Sequence, residues 1–239
     1  MEANPRASRT MPFVAKATGV PLAKVAARVM VGATLAELRV EGLLCAAATG
    51  GHVAVKEAVL PFNRFPEADT LLGPEMRATG EVMGISTTFG LAFAKSQAGA
   101  GDRLPTSGTV FLSLSDRDKA GGLRAARQFV DLGFSVVATS GTARYFTENG
   151  VAVADVVPLL GHPGRSAVER IANGEIDLVV NTPRGRGPRA DGAYIRTTAN
   201  VHNVPCLTTV AAALAAANGI ADVAVHGSSV RSPQEYHGR

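Results

Sequence analysis

From residue 109 onward the chain alternates between short apolar runs and longer helix-like segments. The runs are Thr109–Leu114, Phe134–Thr139, Val153–Val157, Ile176–Asn181 and Pro205–Thr208. Helical patterns occupy Lys119–Leu132, Thr142–Asn149, Ser166–Asn173, Asp191–His202 and Thr209–Asn218. Parallel strands cannot be joined by a tight turn, and a helix is the usual crossover. The alternation therefore predicts an α/β, doubly wound domain with a five-stranded parallel sheet covered on both faces. Right-handed crossovers bring the carboxyl ends of all the strands to one edge. That edge is where an open α/β sheet takes its ligand.

The residues predicted at that edge are mostly hydroxyls and amides. Val136-Val137-Ala138-Thr139-Ser140-Gly141-Thr142-Ala143 reads as a strand, a tight turn and a helix start. Such a turn aims backbone N–H groups and the positive end of a helix dipole at one point, which suits a phosphate. The alternative is an ordinary βα loop with a Ser/Thr cap. Other strand ends add Ser113 with Lys119 beyond it, Asn181-Thr182 and Thr208-Thr209. No paired carboxylate, metal cluster or Ser/His/Asp set joins them. Arg184, Arg186 and Arg189 follow in a Gly/Pro-rich stretch, suited either to closing over an anion or to a solvated loop. His162, between Gly161 and Pro163, reads as a turn residue. This half therefore looks like a binding module for a phosphorylated small molecule.

The first hundred residues follow another pattern. Glu2, Asn4, Arg6 and Arg9 crowd the opening. Residues two apart share one face of a strand, so Glu2 and Asn4 are placed to share a hard cation, with arginines beside them for phosphate oxygens. A polar, frayed terminus is the other reading. Gly19–Leu38 is expected to be one helix, with Pro21 in its first turn and Leu22, Val25, Ala26, Val29 and Met30 on one face. Val53–Leu60 reads as a strand carrying Lys56-Glu57, Pro61–Pro74 as loop, Glu75–Glu81 as polar without clear period, and Thr88–Ala98 as a helix. Ala98–Ser107 is rich in Gly, Ala, Pro and Ser without an apolar period. It divides the chain into residues 1–100 and 105–239.

Composition narrows the partners. A net charge of +4 over 239 residues suits an anionic small ligand and does not argue for nucleic acid. Cys45 and Cys206 lack metal-ligand spacing and read as buried thiols of a cytoplasmic protein. Neither a membrane span nor a secretory signal is apparent.

Longer blocks carry a resemblance: Glu2–Thr10 (EANPRASRT), Lys16–Ala26 (KATGVPLAKVA), Val55–Phe65 (VKEAVLPFNRF) and Leu71–Gly84 (LLGPEMRATGEVMG). With them the chain resembles, from residue 2 to 239, the C-terminal portion of the large subunit of carbamoyl phosphate synthase, an ATP-dependent, glutamine-hydrolysing ligase. The resemblance implies that residues 1–100 are the end of the second ATP-grasp unit, the one that phosphorylates carbamate. Residues 105–239 correspond to a methylglyoxal-synthase-like allosteric domain. Glu2 and Asn4 then fall on Mg²⁺ (or Mn²⁺) and ATP-phosphate positions, and Arg6 and Arg9 on the same catalytic cluster. Ser113, Lys119, Thr139, Gly141 and Thr142 fall on effector-phosphate positions, Asn181 and Thr182 on base or sugar positions, and Glu57 and Thr208 on ornithine positions. UMP, IMP and ornithine are the implied effectors. The rest of the large subunit and the small glutaminase subunit are the implied partners.

The sequence departs from the family in places. The first ATP-grasp unit, the oligomerisation region and the front of the second ATP-grasp unit have no counterpart, as expected of a truncated product or a misassigned start. Neither ATP nor metal is expected to bind the isolated chain tightly, and it is expected to be inactive. Its first hundred residues should present open strand edges and apolar faces. Ala3 replaces a β-branched residue, Pro183 stands where some relatives have threonine, and Leu160 stands near an expected lysine. A stand-alone lyase of the same fold is the competing reading. It requires a carboxylate base near the phosphate, and Asp116, Asp118 and Asp155 are the nearest in sequence. An RNA-binding module on the Arg184–Arg189 stretch lacks interleaved aromatics.

Overall fold

The computed structural model describes residues 6–45, 51–59, 80–182 and 191–238. Helix α1 (Thr10–Thr18) ends at Gly19, whose φ of 72° is a left-handed cap. The single helix expected over Gly19–Leu38 is two: α2 (Leu22–Met30) and α3 (Leu35–Val40). Gly32, at φ 98°, turns the chain out of α2. Thr34 and Glu37 then form a reciprocal capping box that starts α3. Val29, Met30, Val31, Leu35 and Val40 on and around this pair are exposed.

Strand β1 (Val53–Val59) pairs antiparallel with β2 (Gly80–Ser86), Val53 opposite Ser86 and Val59 opposite Gly80. No strand was expected at β2, because its glycines break the apolar alternation. Gly84 is needed for packing: a Cβ there would stand 1.9 Å from the Ala92 carbonyl oxygen. Helix α4 (Phe89–Ala100), capped by Thr88, thus lies directly on the β2 backbone.

The second half is the expected α/β layer structure. Strands β3 (Thr109–Ser113), β4 (Ser135–Thr139), β5 (Asp155–Val157), β6 (Leu178–Asn181) and β7 (Cys206–Leu207) form one parallel sheet in the order β5-β4-β3-β6-β7. Alternate residues face opposite layers. Val110, Leu112, Val136, Ala138, Leu178 and Val180 enter one core with Phe93, Phe129, Phe146 and Ala213. Phe111, Val137, Val157 and Val179 enter the other with Ala167, Ile171 and Ile195. The helices are α5 (Lys119–Asp131), α6 (Ser140–Glu148), α7 (Ala167–Ala172), α8 (Asp191–Val201), α9 (Val210–His226) and α10 (Pro233–Tyr236).

Two particulars differ from expectation. Helix α9 runs past Asn218, because Gly219 sits where the helix meets α4 rather than where it ends. A Cβ at Gly219 would lie 3.1 Å from the Gly90 carbonyl oxygen, and one at Gly90 would lie 2.7 Å from that of Asn218. The two helices cross on bare backbone, so α4 joins the core of the second half. In addition, Cys45 and Cys206 are half-buried rather than fully enclosed.

Candidate functional site

The sheet reverses its winding at β3 and β6: the chain leaves β3 toward β4 and leaves β6 toward β7. Such a switch point opens a crevice beyond the strand ends. Ser113 and Asn181 are register partners there. Thr139 ends the strand on one side of them, and Thr208 follows the strand on the other. The predicted residues of the second half, except those outside the described segments, therefore lie along one edge.

Two threonines shape that edge. The Leu114 N–H donates to Thr142 Oγ1 at 3.1 Å, and the Ser115 N–H donates to Thr182 Oγ1 at 2.9 Å. Both hydroxyls are thereby engaged in pinning the turn after β3 to the start of α6 and to the end of β6. Thr139 Oγ1 lies 3.3 Å from Thr142 Oγ1. Thr142 is 1% exposed, whereas Thr139 is half-buried and nearer solvent. Ser113 accepts the Thr182 N–H through its carbonyl at 3.0 Å, and its side chain is half-buried.

Lys119 supplies the charge. Its side chain is only 14% exposed, and Nζ lies 2.7 Å from Asp116 Oδ1. The same ammonium sits 3.4 Å from where a Cβ on Gly141 would be. Lysine and the first turn of α6 thus face one space, which is kept open by the absence of a side chain at Gly141. A cation and a helix N-terminus converging on one point suit an oxyanion.

Two of the nearby carboxylates, Asp118 and Asp155, are held in the charged form. A hydrogen bond from Ser115 holds the Asp118 carboxyl below its usual range, with Thr182 and Arg117 adding to the effect. Asp155 is held low by Arg170, to which it is hydrogen-bonded. Asp116 is ion-paired with Lys119. Neither Asp118 nor Asp155 is tuned upward as a general base at neutral pH would be.

Arg196 belongs to the site and was not anticipated. It is 4% exposed, and its Nη1 donates to Asn181 Oδ1 at 2.6 Å. An arginine within α8 reads from sequence as solvent-facing; Asn181 as a polar strand end was the available clue. Leu160 is half-buried and lines a small cavity with Thr139, Phe111, Pro158, Asp191 and Ile195. His162 is exposed in a turn, its N–H donating to the Leu159 carbonyl at 3.2 Å. Pro183, Arg184, Arg186 and Arg189 lie outside the described residues.

The first half holds the other predicted positions. Glu2, Ala3 and Asn4 lie outside the described residues. Arg6 is exposed, and Arg9 lines a groove of about 360 Å³ with Phe13, Lys16, Lys56 and Glu81. Lys56 Nζ bonds Thr10 Oγ1 at 3.1 Å and Glu81 Oε1 at 3.3 Å. Glu57 is half-buried and accepts from Gln97 Nε2 at 2.8 Å. Burial pushes its carboxyl up, and the negative charge of Asp102 adds to that. Desolvation by the surrounding chain raises Asp102 as well, although the residue keeps an exposed surface. Glu57 lies in β1 of the two-stranded sheet whereas Thr208 follows β7 of the parallel sheet, and no hydrogen bond joins them. Among the described residues no group of three His, Cys, Asp or Glu side chains is placed to hold a metal, and no helix is long and apolar enough to cross a membrane.

Comparison with known proteins matches both halves. Residues 121–208 match the MGS-like domain, and residues 1–38 match the carbamoyl-phosphate synthase L chain, ATP binding domain. The carbamoyl phosphate synthase large chain of Mycobacterium tuberculosis strain H37Rv is 52% identical over 255 residues, covering 99% of this chain and 23% of the relative. That of a Nostoc species is 52% identical over 237 residues, covering 99% and 21%. That of Rubrobacter xylanophilus is 54% identical over 220 residues, covering 92% and 20%. The chain thus spans between a fifth and a quarter of the length of these relatives. It belongs to the carbamoyl phosphate synthase large-chain family and matches the C-terminal portion, an ATP-grasp segment followed by the MGS-like domain.

Proposed function

We propose that residues 105–239 form the allosteric module of a glutamine-dependent carbamoyl phosphate synthase and bind the phosphate of a nucleotide monophosphate such as UMP or IMP. The observation that carries this is the Lys119 ammonium facing Gly141 at the first turn of α6. Thr139, at the end of β4, is less buried than Thr142. Ser113 and Thr142 complete the phosphate end, and Asn181 and Thr182 face the base or sugar. Glu57, whose carboxyl is raised by burial and by Asp102, would gain from an ammonium group, which fits an ornithine-type effector reaching Glu57 and Thr208.

Residues 1–100 are read as the end of the carbamate-phosphorylating ATP-grasp unit. Glu2 and Asn4 are oxygen donors suited by type to Mg²⁺ or Mn²⁺ beside ATP phosphates, and Arg6 and Arg9 suit phosphate oxygens. The remainder of the large subunit and the glutaminase subunit would complete a cytoplasmic enzyme that makes carbamoyl phosphate from bicarbonate and glutamine-derived ammonia, for pyrimidine and arginine synthesis. Phosphoryl transfer needs the full cradle around both substrates, so this chain alone should show no bicarbonate-stimulated ATP turnover.

Calorimetric titration of UMP, IMP and inorganic phosphate into the 239-residue chain tests the effector reading. A charge-assisted contact is worth roughly 1.5–3 kcal/mol, so Lys119→Ala should weaken phosphate binding by about tenfold to a hundredfold. Equal affinity in a folded Lys119→Ala variant would overturn the phosphate site.

A further inference from the structure

We propose that Arg196 is a positioning residue that fixes the amide of Asn181, so that the cleft accepts bases presenting an acceptor and rejects those presenting a donor. The inference rests on the proposed nucleotide site and adds which bases it selects.

The argument begins with the donor inventory. A guanidinium has only donors, whereas an asparagine amide has an acceptor on one arm and donors on the other. Arg196 Nη1 lies 2.6 Å from the amide of Asn181, and both residues are 4% exposed. Only the oxygen arm can meet a guanidinium there, so the partner itself settles the orientation of the amide. The Asn181 NH₂ must then be on the arm turned away from Arg196. Among the described residues no acceptor is hydrogen-bonded to it.

The backbone of α8 is shaped around this contact. A Cβ on Gly192 would stand 2.9 Å from Arg196 Nη1 and 3.3 Å from Asn181 Oδ1. A bare α-carbon in the first turn of α8 is what lets guanidinium and amide meet. Asn181 closes β6 at the switch point, beside Ser113, so a fixed donor there faces the crevice.

A fixed NH₂ pairs with a carbonyl oxygen and meets an exocyclic amino group donor to donor. UMP differs from CMP, and IMP from AMP, by this exchange of oxo for amino. The unmodified chain should favour UMP over CMP and IMP over AMP by about tenfold, the scale of one mismatched buried hydrogen bond.

The decisive variant is Asn181→Asp. Its carboxylate keeps a charged partner for Arg196 and turns an acceptor toward the cleft, so the oxo-to-amino affinity ratio should fall below one. Arg196→Gln frees the amide to turn, and the ratio should shrink toward one while inorganic phosphate affinity stays within about twofold. Gly192→Ala should shrink it as well. Thermal melting checks that each variant is folded, and calorimetry supplies the ratios. An Asn181→Asp variant that is folded, binds inorganic phosphate and keeps the original ratio overturns the proposal. So does an unmodified chain that binds phosphate without distinguishing UMP from CMP, an outcome that leaves the phosphate site standing. Failure to bind phosphate at all removes the site itself and this inference with it.

Discussion

Lys119 Nζ and Asp116 Oδ1 are 2.7 Å apart, the lysine side chain 14% exposed and the aspartate 81% exposed. The cation that faces the first turn of α6 is therefore already engaged by a carboxylate from the 3-10 turn Asp116–Asp118, which leads into α5. An incoming phosphate has to share Lys119 with that carboxylate or displace it. A pair with one partner this exposed contributes only about 0–1 kcal/mol. Asp116→Asn should therefore tighten inorganic phosphate and nucleotide binding by about twofold to fivefold. It should barely move the unfolding midpoint. Unchanged or weaker binding by calorimetry would show that Asp116 does not oppose the anion.

Leu160 lines the same small cavity as Thr139, and Asp191 lines it too. A lysine at this position would lay its stem along the apolar wall and carry its ammonium to the rim. It would meet two acceptors there, the ligand phosphate and the Asp191 carboxylate. Leu160→Lys alone should strengthen phosphate binding modestly, and Leu160→Lys with Asp191→Asn should strengthen it more. Titration of both folded variants checks the order. No gain in either one would place residue 160 outside the reach of the phosphate.

The parts of this fold that were legible in the sequence are those set by a local period. Val110 and Leu112 enter one core and Phe111 the other, which is what an uninterrupted apolar run with helices on both sides announces. Lys119, Thr139 and Asn181 were legible because strand ends of a parallel sheet share an edge. The missing pieces depend on distant contacts. β2 was obscured by Gly80 and Gly84, and Gly84 is explained only by the carbonyl of Ala92 above it. Arg196 was obscured because its burial requires Asn181 and Gly192 to be brought against it. The break between α2 and α3 was legible in principle, since Gly32 and the Thr34/Glu37 box lie in plain sequence, but the apolar stripe masked it.

Glu57 and Asp102 give a stability prediction with a definite sign. Both carboxyls are raised above their ordinary values, first by desolvation, with Glu57 the more enclosed of the two. The folded chain then holds protons more tightly than the unfolded chain. Stability falls as pH rises from the ordinary carboxylate range, about 4, through the raised values, and the penalty is complete above them. Glu57→Gln and Asp102→Asn should therefore raise the melting temperature at pH 7, and this gain should disappear as the pH approaches about 4. Glu57→Gln keeps an acceptor for Gln97, so its effect isolates the charge. Melting curves between these limits check it; a gain independent of pH would assign the effect to packing instead.

The contact between α4 and α9 carries the last prediction. The low-period stretch 98–107 suggests a division of the chain, yet α4 crosses α9 with Gly90 and Gly219 against opposing backbone, and Thr88 Oγ1 donates to Asp222 Oδ2 at 2.5 Å. Phe93 of α4 lies in the same core as Phe129 and Ala216. Amide exchange within 89–100 should therefore be as slow as within α9, while α2 and α3, with Met30, Val31 and Val40 largely exposed, should exchange much faster. A methyl at Gly90 would come within 2.4 Å of Asp222 Oδ2 and 2.7 Å of the Asn218 carbonyl oxygen. Backbone cannot yield as a flexible side chain would, so Gly90→Ala should cost about 1–3 kcal/mol. The loss should appear as faster exchange in α4 and α9 together, with the midpoint of denaturant unfolding lowered. Faster exchange in α4 alone would show that α9 and the parallel sheet hold together without it, and that residues 1–100 and 105–239 fold as separate units.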